Sequence, residues 1–156
     1  MRLTIAVFVF LVLGPISCIH AETANKAETS GAVARKLFID PSSTSVALEK
    51  ASLIVSPLIR RNGNYVGDYQ LKVRPYFFKS EKGSLLLAAP ADAVRKLRAG
   101  TAINFTGKAV TRKDGRTHVV FGRATPSSPD RGSVTFSMIT DDDGKLVFNT
   151  SYRFES

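Results

Sequence analysis

Apolar and polar residues alternate most cleanly near the C-terminus. Val134, Phe136 and Met138 interleave with Ser133, Thr135 and Ser137, and Leu146, Phe148, Tyr152 and Phe154 interleave with Val147, Asn149, Ser151 and Arg153. A period of two marks strands with one buried and one wet side. Asp143-Gly144 near the junction predicts a turn, so the two runs read as a hairpin. The same alternation places Tyr69, Leu71 and Val73 on one face and Gln70, Lys72 and Arg74 on the other, until Pro75 interrupts the ladder. Val46 to Arg61 is mostly apolar and runs into Asn62-Gly63, a strong hairpin signal. Tyr76-Phe77-Phe78 and Leu85-Leu86-Leu87 flank Glu81-Lys82-Gly83, which predicts a further hairpin. Thr125 to Gly132, with Pro126 and Pro129, reads as a loop.

Between these runs the pattern changes period. Pro90 to Ala99 reads as a short helix: Pro90 suits a first turn, Asp92 follows it, and Arg95, Lys96 and Arg98 crowd the last turn, where the dipole favours cations. Gly100 can take the left-handed conformation that ends helices. Val94 and Leu97 form a narrow apolar stripe, so the helix needs a sheet or a barrel end to pack on. A hairpin from Thr101 to Arg123 follows. Ile103, Phe105 and Ala109 share one face, Asp114-Gly115 supplies the turn, and Val119 and Phe121 share a face on the return. The fold class is therefore mainly β: an antiparallel barrel or two-sheet sandwich of about eight strands with one helix inserted midway. The order of elements also fits an oligonucleotide/oligosaccharide-binding barrel with an added C-terminal hairpin.

The N-terminus adds an export reading. Met1-Arg2, an apolar run from Leu3 to Leu13, the break Gly14-Pro15 and the small Ala21 follow the order of a secretory signal. The run is too short to span a bilayer. Cleavage is expected after Ala21, giving a periplasmic or secreted protein. Cys18 raises a lipid-anchored alternative, disfavoured because Pro15-Ile16-Ser17 fits a lipidation motif poorly. Residues 22–45 read as a flexible N-terminal segment and 46–156 as one β-rich domain. The single cysteine falls within the leader, so no disulfide is expected.

Charge supplies the functional lead. The 156-residue chain carries a net charge of +9. Arg95, Lys96, Arg98, Lys108, Arg112, Lys113, Arg116 and Arg123 all lie between Ala93 and Arg123, with Asp114 as the one acid. The first seven form the candidate anion-binding surface, for an anionic lipid, an acidic glycan or an acidic protein. Export argues against nucleic acid. Tyr65, Tyr76 and Phe78 are candidate stacking faces. The alternative use of the same residues is a solvated exterior that keeps edge strands apart.

Catalytic and metal chemistry find less support. Cysteine is confined to the leader and His118 is the one histidine beyond it. No metal site or cofactor is expected. Asp141-Asp142-Asp143-Gly144 lacks the alternating ligands and closing Glu of a calcium loop and reads as a turn. No Gly-x-Ser-x-Gly elbow is present. The leading function is a non-enzymatic binding or structural module of the cell envelope. A barrel carrying an apolar ligand among Tyr69, Leu71, Ile103, Phe105, Phe136 and Phe148 is the alternative, and a hydrolase built on His118 is the third. Asn104 and Asn149 fit the N-glycosylation pattern and fall on predicted polar faces.

Overall fold

The computed structural model describes residues 35–140 and 144–155. Along the chain run β1 (Lys36–Ile39), β2 (Ser42–Val46), β3 (Glu49–Val55), β4 (Leu58–Arg61), β5 (Asn64–Arg74), β6 (Glu81–Ala88), α1 (Ala91–Arg98), β7 (Ile103–Thr111), β8 (Thr117–Ser128), β9 (Arg131–Thr140) and β10 (Gly144–Glu155). Every pairing is antiparallel, and β10 returns to β1 while β5 joins β6, so the sheet closes on itself. Leu37 faces Leu58 and Ser42 faces Leu53 in one continuous register. Thus β1–β2 and β3–β4 are the two sides of a single long hairpin. Each side is broken at a proline, Pro41 and Pro57, where a ladder donor is missing.

The result is a closed eight-stranded antiparallel barrel with one helix between its fourth and fifth staves. Neighbours in sequence are neighbours in the wall, so the barrel is a meander. That order differs from both a two-sheet sandwich and the oligonucleotide/oligosaccharide-binding arrangement. Closure removes the exposed edges that an open sheet would carry.

The interior is filled by the predicted alternation. Tyr69, Leu71, Phe136 and Phe148 are buried, and Ile103 and Phe105 pack against them. Phe105 and Phe136 stand on either side of Gly122 on the adjoining staves, with ring centroids 6.0 Å apart. A Cβ on Gly122 would lie 2.6 Å from the Phe105 ring and 2.1 Å from the Thr135 carbonyl. Glycine is what lets the two rings close over the wall there.

Helix α1 plugs one end. Val94 and Leu97 are buried against the barrel mouth. Gly100, at φ +87°, ends the helix, and the Gly100 and Thr101 N–H groups donate to the Leu97 and Lys96 carbonyls at 3.0 and 2.9 Å. This is the paired closure that satisfies orphan helix carbonyls. No helix among the described residues is long and apolar enough to cross a membrane.

Several expectations change. Within the expected flexible segment 22–45, residues from Lys36 onward are barrel wall, because β1 pairs with both β10 and β4. Glu81-Lys82-Gly83 lies inside β6, and the turn sits at Pro75–Ser80 with a short 3₁₀ turn at Phe77–Lys79. The expected loop Thr125–Gly132 is largely strand: β8 runs to Ser128, with a register shift between Pro126 and Ser128 that accommodates the missing donor. On β8, Val120 points inward and Val119 outward, where it pairs across the wall with Ile139. The expected leader and its cleavage after Ala21, Cys18, residues 22–34 and the expected turn at Asp141–Asp143 lie outside the described residues.

Candidate anion-binding rim

Among the described residues, the barrel end opposite α1 carries the turn between β2 and β3, the Pro75–Ser80 connection and the β7–β8 turn, and β9 and β10 also meet there at Thr140 and Gly144. The Pro75–Ser80 connection is held on both sides. Val73 N–H donates to Ser80 Oγ at 2.9 Å, and Lys79 Nζ donates to Glu49 Oε1 at 2.7 Å. Tyr76 and Phe78 meet edge to face at 5.8 Å. The turn at Lys113–Gly115 is held by Asp114, which accepts from Thr111 Oγ1 and from Arg116 Nε at 2.7 Å. The Thr111 hydroxyl and the Arg116 N–H and guanidinium beside Asp114 lower its carboxyl pKa to about 2.

Just inside this rim lies a buried polar cluster. Tyr69 Oη donates to Glu81 Oε1 at 2.9 Å, and His118 Nε2 lies 3.1 Å from Glu81 Oε2. Burial first, then the Glu81 charge, pushes the Tyr69 phenol well above its ordinary range. His118 Nδ1 is buried and has no hydrogen-bond partner among the described residues. The sequence reads His118 as a surface or cross-strand residue. The structure turns it inward at 2% exposure, on the same face as Val120. Among the described residues no nucleophile bonds to this nitrogen, which solvent does not reach.

Outside the rim, cations from several strands become neighbours. Lys50 on β3 stands directly opposite Arg74 on β5. Lys72 follows two residues along the same face of β5. Lys82 pairs with Gln70 across the β5–β6 seam, and the Arg112 N–H donates to the Lys82 carbonyl at 2.9 Å across the next. Lys113 is beside it in the turn. Like charges directly opposite on a sheet destabilise it. Lys50, Lys72, Arg74, Lys82 and Lys113 pair with no acid among the described residues. A recess of about 440 Å³ opens between Phe78, Lys82, Arg112, Lys113 and Arg116.

The seven residues singled out by sequence are divided. Arg112, Lys113 and Arg116 sit at this rim; Arg112 also reaches Asp68 at 2.8 Å. Arg95, Lys96 and Arg98 are on α1 at the opposite end, where Lys96 pairs with Asp92 at 3.7 Å and Arg98 with Asp130 at 2.8 Å. Lys108 faces outward midway along β7. The nine residues of β7 between the two ends span about 30 Å of strand, far beyond the ~8 Å screening length of physiological salt. The two groups therefore act as separate surfaces. Lys50, Lys72, Arg74 and Lys82 complete the rim and are missed by linear clustering. Of the candidate stacking faces, Tyr65 is buried, while Tyr76 and Phe78 are exposed at the rim.

At the plugged end an apolar pocket of about 50 Å³ lies beneath Val94 and Leu97, bordered by Tyr65, Phe105 and Tyr152. Among the described residues no group of three or more His, Cys, Asp or Glu is placed to hold a metal ion. No protein family, curated protein or solved structure matches the chain.

Proposed function

We propose that the protein is a non-enzymatic binding module that meets anionic partners through the barrel rim opposite α1, acting in the cell envelope after export. The single observation that carries this reading is Lys50 opposite Arg74, flanked by Lys72, Lys82, Arg112 and Lys113. Pairing of β3, β5 and β6, with the β7–β8 turn beside them, gathers cations that are scattered in sequence. Such a surface raises the local potential and draws anions. The barrel supplies a rigid mount, and the Lys79–Glu49 and Arg116–Asp114 pairs fix the turns that frame the surface.

The test is retention of the protein on an immobilised sulfated polysaccharide as salt rises. Binding is expected to weaken steeply with salt, and Lys50→Gln with Arg74→Gln is expected to elute earlier. Binding that ignores salt, or that survives neutralising the rim, contradicts the reading.

A carrier role for the barrel draws on the pocket beneath α1, which is lined by apolar side chains. At about 50 Å³ it falls well short of the several hundred Å³ of a typical ligand pocket. An apolar cargo therefore requires α1 to move aside.

A further inference from the structure

The side chains most out of place in water sit on the same rim as the cations. Leu48, in the β2–β3 turn, is 89% exposed, and Phe77 and Phe78, in the Pro75–Ser80 connection, are 70% and 78% exposed. Leu48 and Phe77 border one shallow groove together with Lys50 and Arg74. Phe78 borders the next, with Lys82, Arg112 and Lys113. Apolar tips thus alternate with cations along one end of the barrel. The Lys79–Glu49 and Val73–Ser80 hydrogen bonds hold the connection with both rings outward.

We propose that this rim seats on an anionic lipid bilayer, with Leu48, Phe77 and Phe78 entering the interfacial region and the surrounding lysines and arginines meeting the headgroups. The inference rests on the anion-binding reading of the same rim and names its partner. Three observations select a bilayer over a soluble polyanion. Leu48 and both phenylalanines have no polar atom to offer a glycan hydroxyl or sulfate. The three side chains stand on the tips of two separate turns, so they fit a deformable medium better than a rigid pocket. Cations flank the tips on β3, β5, β6 and the β7–β8 turn, the arrangement by which basic and apolar side chains together bind an anionic membrane surface.

The test compares binding of the protein to phosphatidylcholine vesicles with and without phosphatidylglycerol, and to a soluble sulfated polysaccharide. All variants carry the same N-terminus, so any contribution from residues 1–34 is common to them. The parent is expected to bind vesicles containing phosphatidylglycerol and to lose affinity as salt rises. Phe77→Ser and Phe78→Ser are each expected to weaken vesicle binding about tenfold, equivalent to about 1.4 kcal/mol, and to leave polysaccharide binding unchanged. Lys50→Gln is expected to weaken both, by about fivefold on vesicles. Because the two rings are exposed, an unchanged thermal melt serves as the folding control, and Leu48→Ser supplies an independent variant on the other turn. Vesicle binding that survives all three apolar substitutions overturns the inference, as does polysaccharide binding without vesicle binding; in both cases the anion-binding reading stands. Self-association that depends on Phe77 and Phe78, without vesicle binding, makes a second copy the occupant and also overturns it. Failure to bind either probe removes both readings.

Discussion

His118 Nε2 and Glu81 Oε2 lie 3.1 Å apart inside the barrel, and the other Glu81 oxygen accepts from Tyr69 Oη at 2.9 Å. One carboxylate therefore satisfies groups from β5 and β8 while standing on β6 between β5 and β7. Glu81→Leu keeps the volume roughly constant but leaves both partners buried without an acceptor. An unsatisfied buried polar group costs about 1–3 kcal/mol. Urea denaturation is expected to show a loss of that size or more, and an unchanged midpoint would mean that the cluster contributes nothing to the fold.

Tyr69 sets the alkaline limit of the same cluster. Its folded pKa is raised above the ordinary 10.0, first by burial and then by the Glu81 charge, so the fold favours the neutral phenol. That contribution is fully present below pH 10.0 and is lost as pH rises through the folded value. Tyr65 and Tyr152 are shifted in the same direction by burial. Thermal melts are expected to fall steeply above pH 10.0, with Tyr69→Phe showing a shallower decline. Phenolate absorbance that appears only on unfolding would mark the buried rings; early titration of all four tyrosines would contradict the assignment.

The architecture was legible where one face of a strand is buried and the other wet. Tyr69-Leu71-Val73 and Val134-Phe136-Met138 show this directly, and the helix ends are written in Pro90, Asp92 and Gly100. The first stave was not legible, because Leu37, Phe38 and Ile39 are consecutive and apolar, and only pairing with β10 and β4 makes them wall. β8 misled for a related reason. Val119 and Phe121 look like the inner face, yet Val119 pairs with Ile139 on the outside, so both faces carry apolar residues. The candidate site was half legible. Nearness in sequence grouped Arg95 with Arg112, but β7 carries the chain from one end of the barrel to the other between them. The register that sets Lys50 opposite Arg74 has no local signature.

Gly122 is one of the tight points of the wall. A valine there would drive its Cβ and methyl groups into the Phe105 ring and the Thr135 carbonyl. Gly122→Val is expected to destabilise the protein by about 1–3 kcal/mol or more, the range for overpacked cores. Calorimetry or urea titration gives the value, and a neutral result would show that β7 and β9 can part freely.

The Lys50–Arg74 pair works against the fold it stands on. Replacing Lys50 with threonine removes a like-charge contact and adds a residue well suited to strands. A gain of about 0.2–1 kcal/mol is expected. The measurement is the urea midpoint at low salt, repeated at high salt, where screening should shrink the difference. A loss of stability would indicate that these cations are held by contacts other than the pairing described.

The most direct test of the account sets the two basic surfaces against each other on one anionic probe. Affinity for a sulfated polysaccharide is measured across a salt series for Lys50→Gln with Arg74→Gln, and for Arg95→Gln with Lys96→Gln on α1. The account predicts weaker binding and a shallower salt dependence for the rim variant, and parent-like behaviour for the helix variant. The opposite order, or equal loss from both, would contradict it.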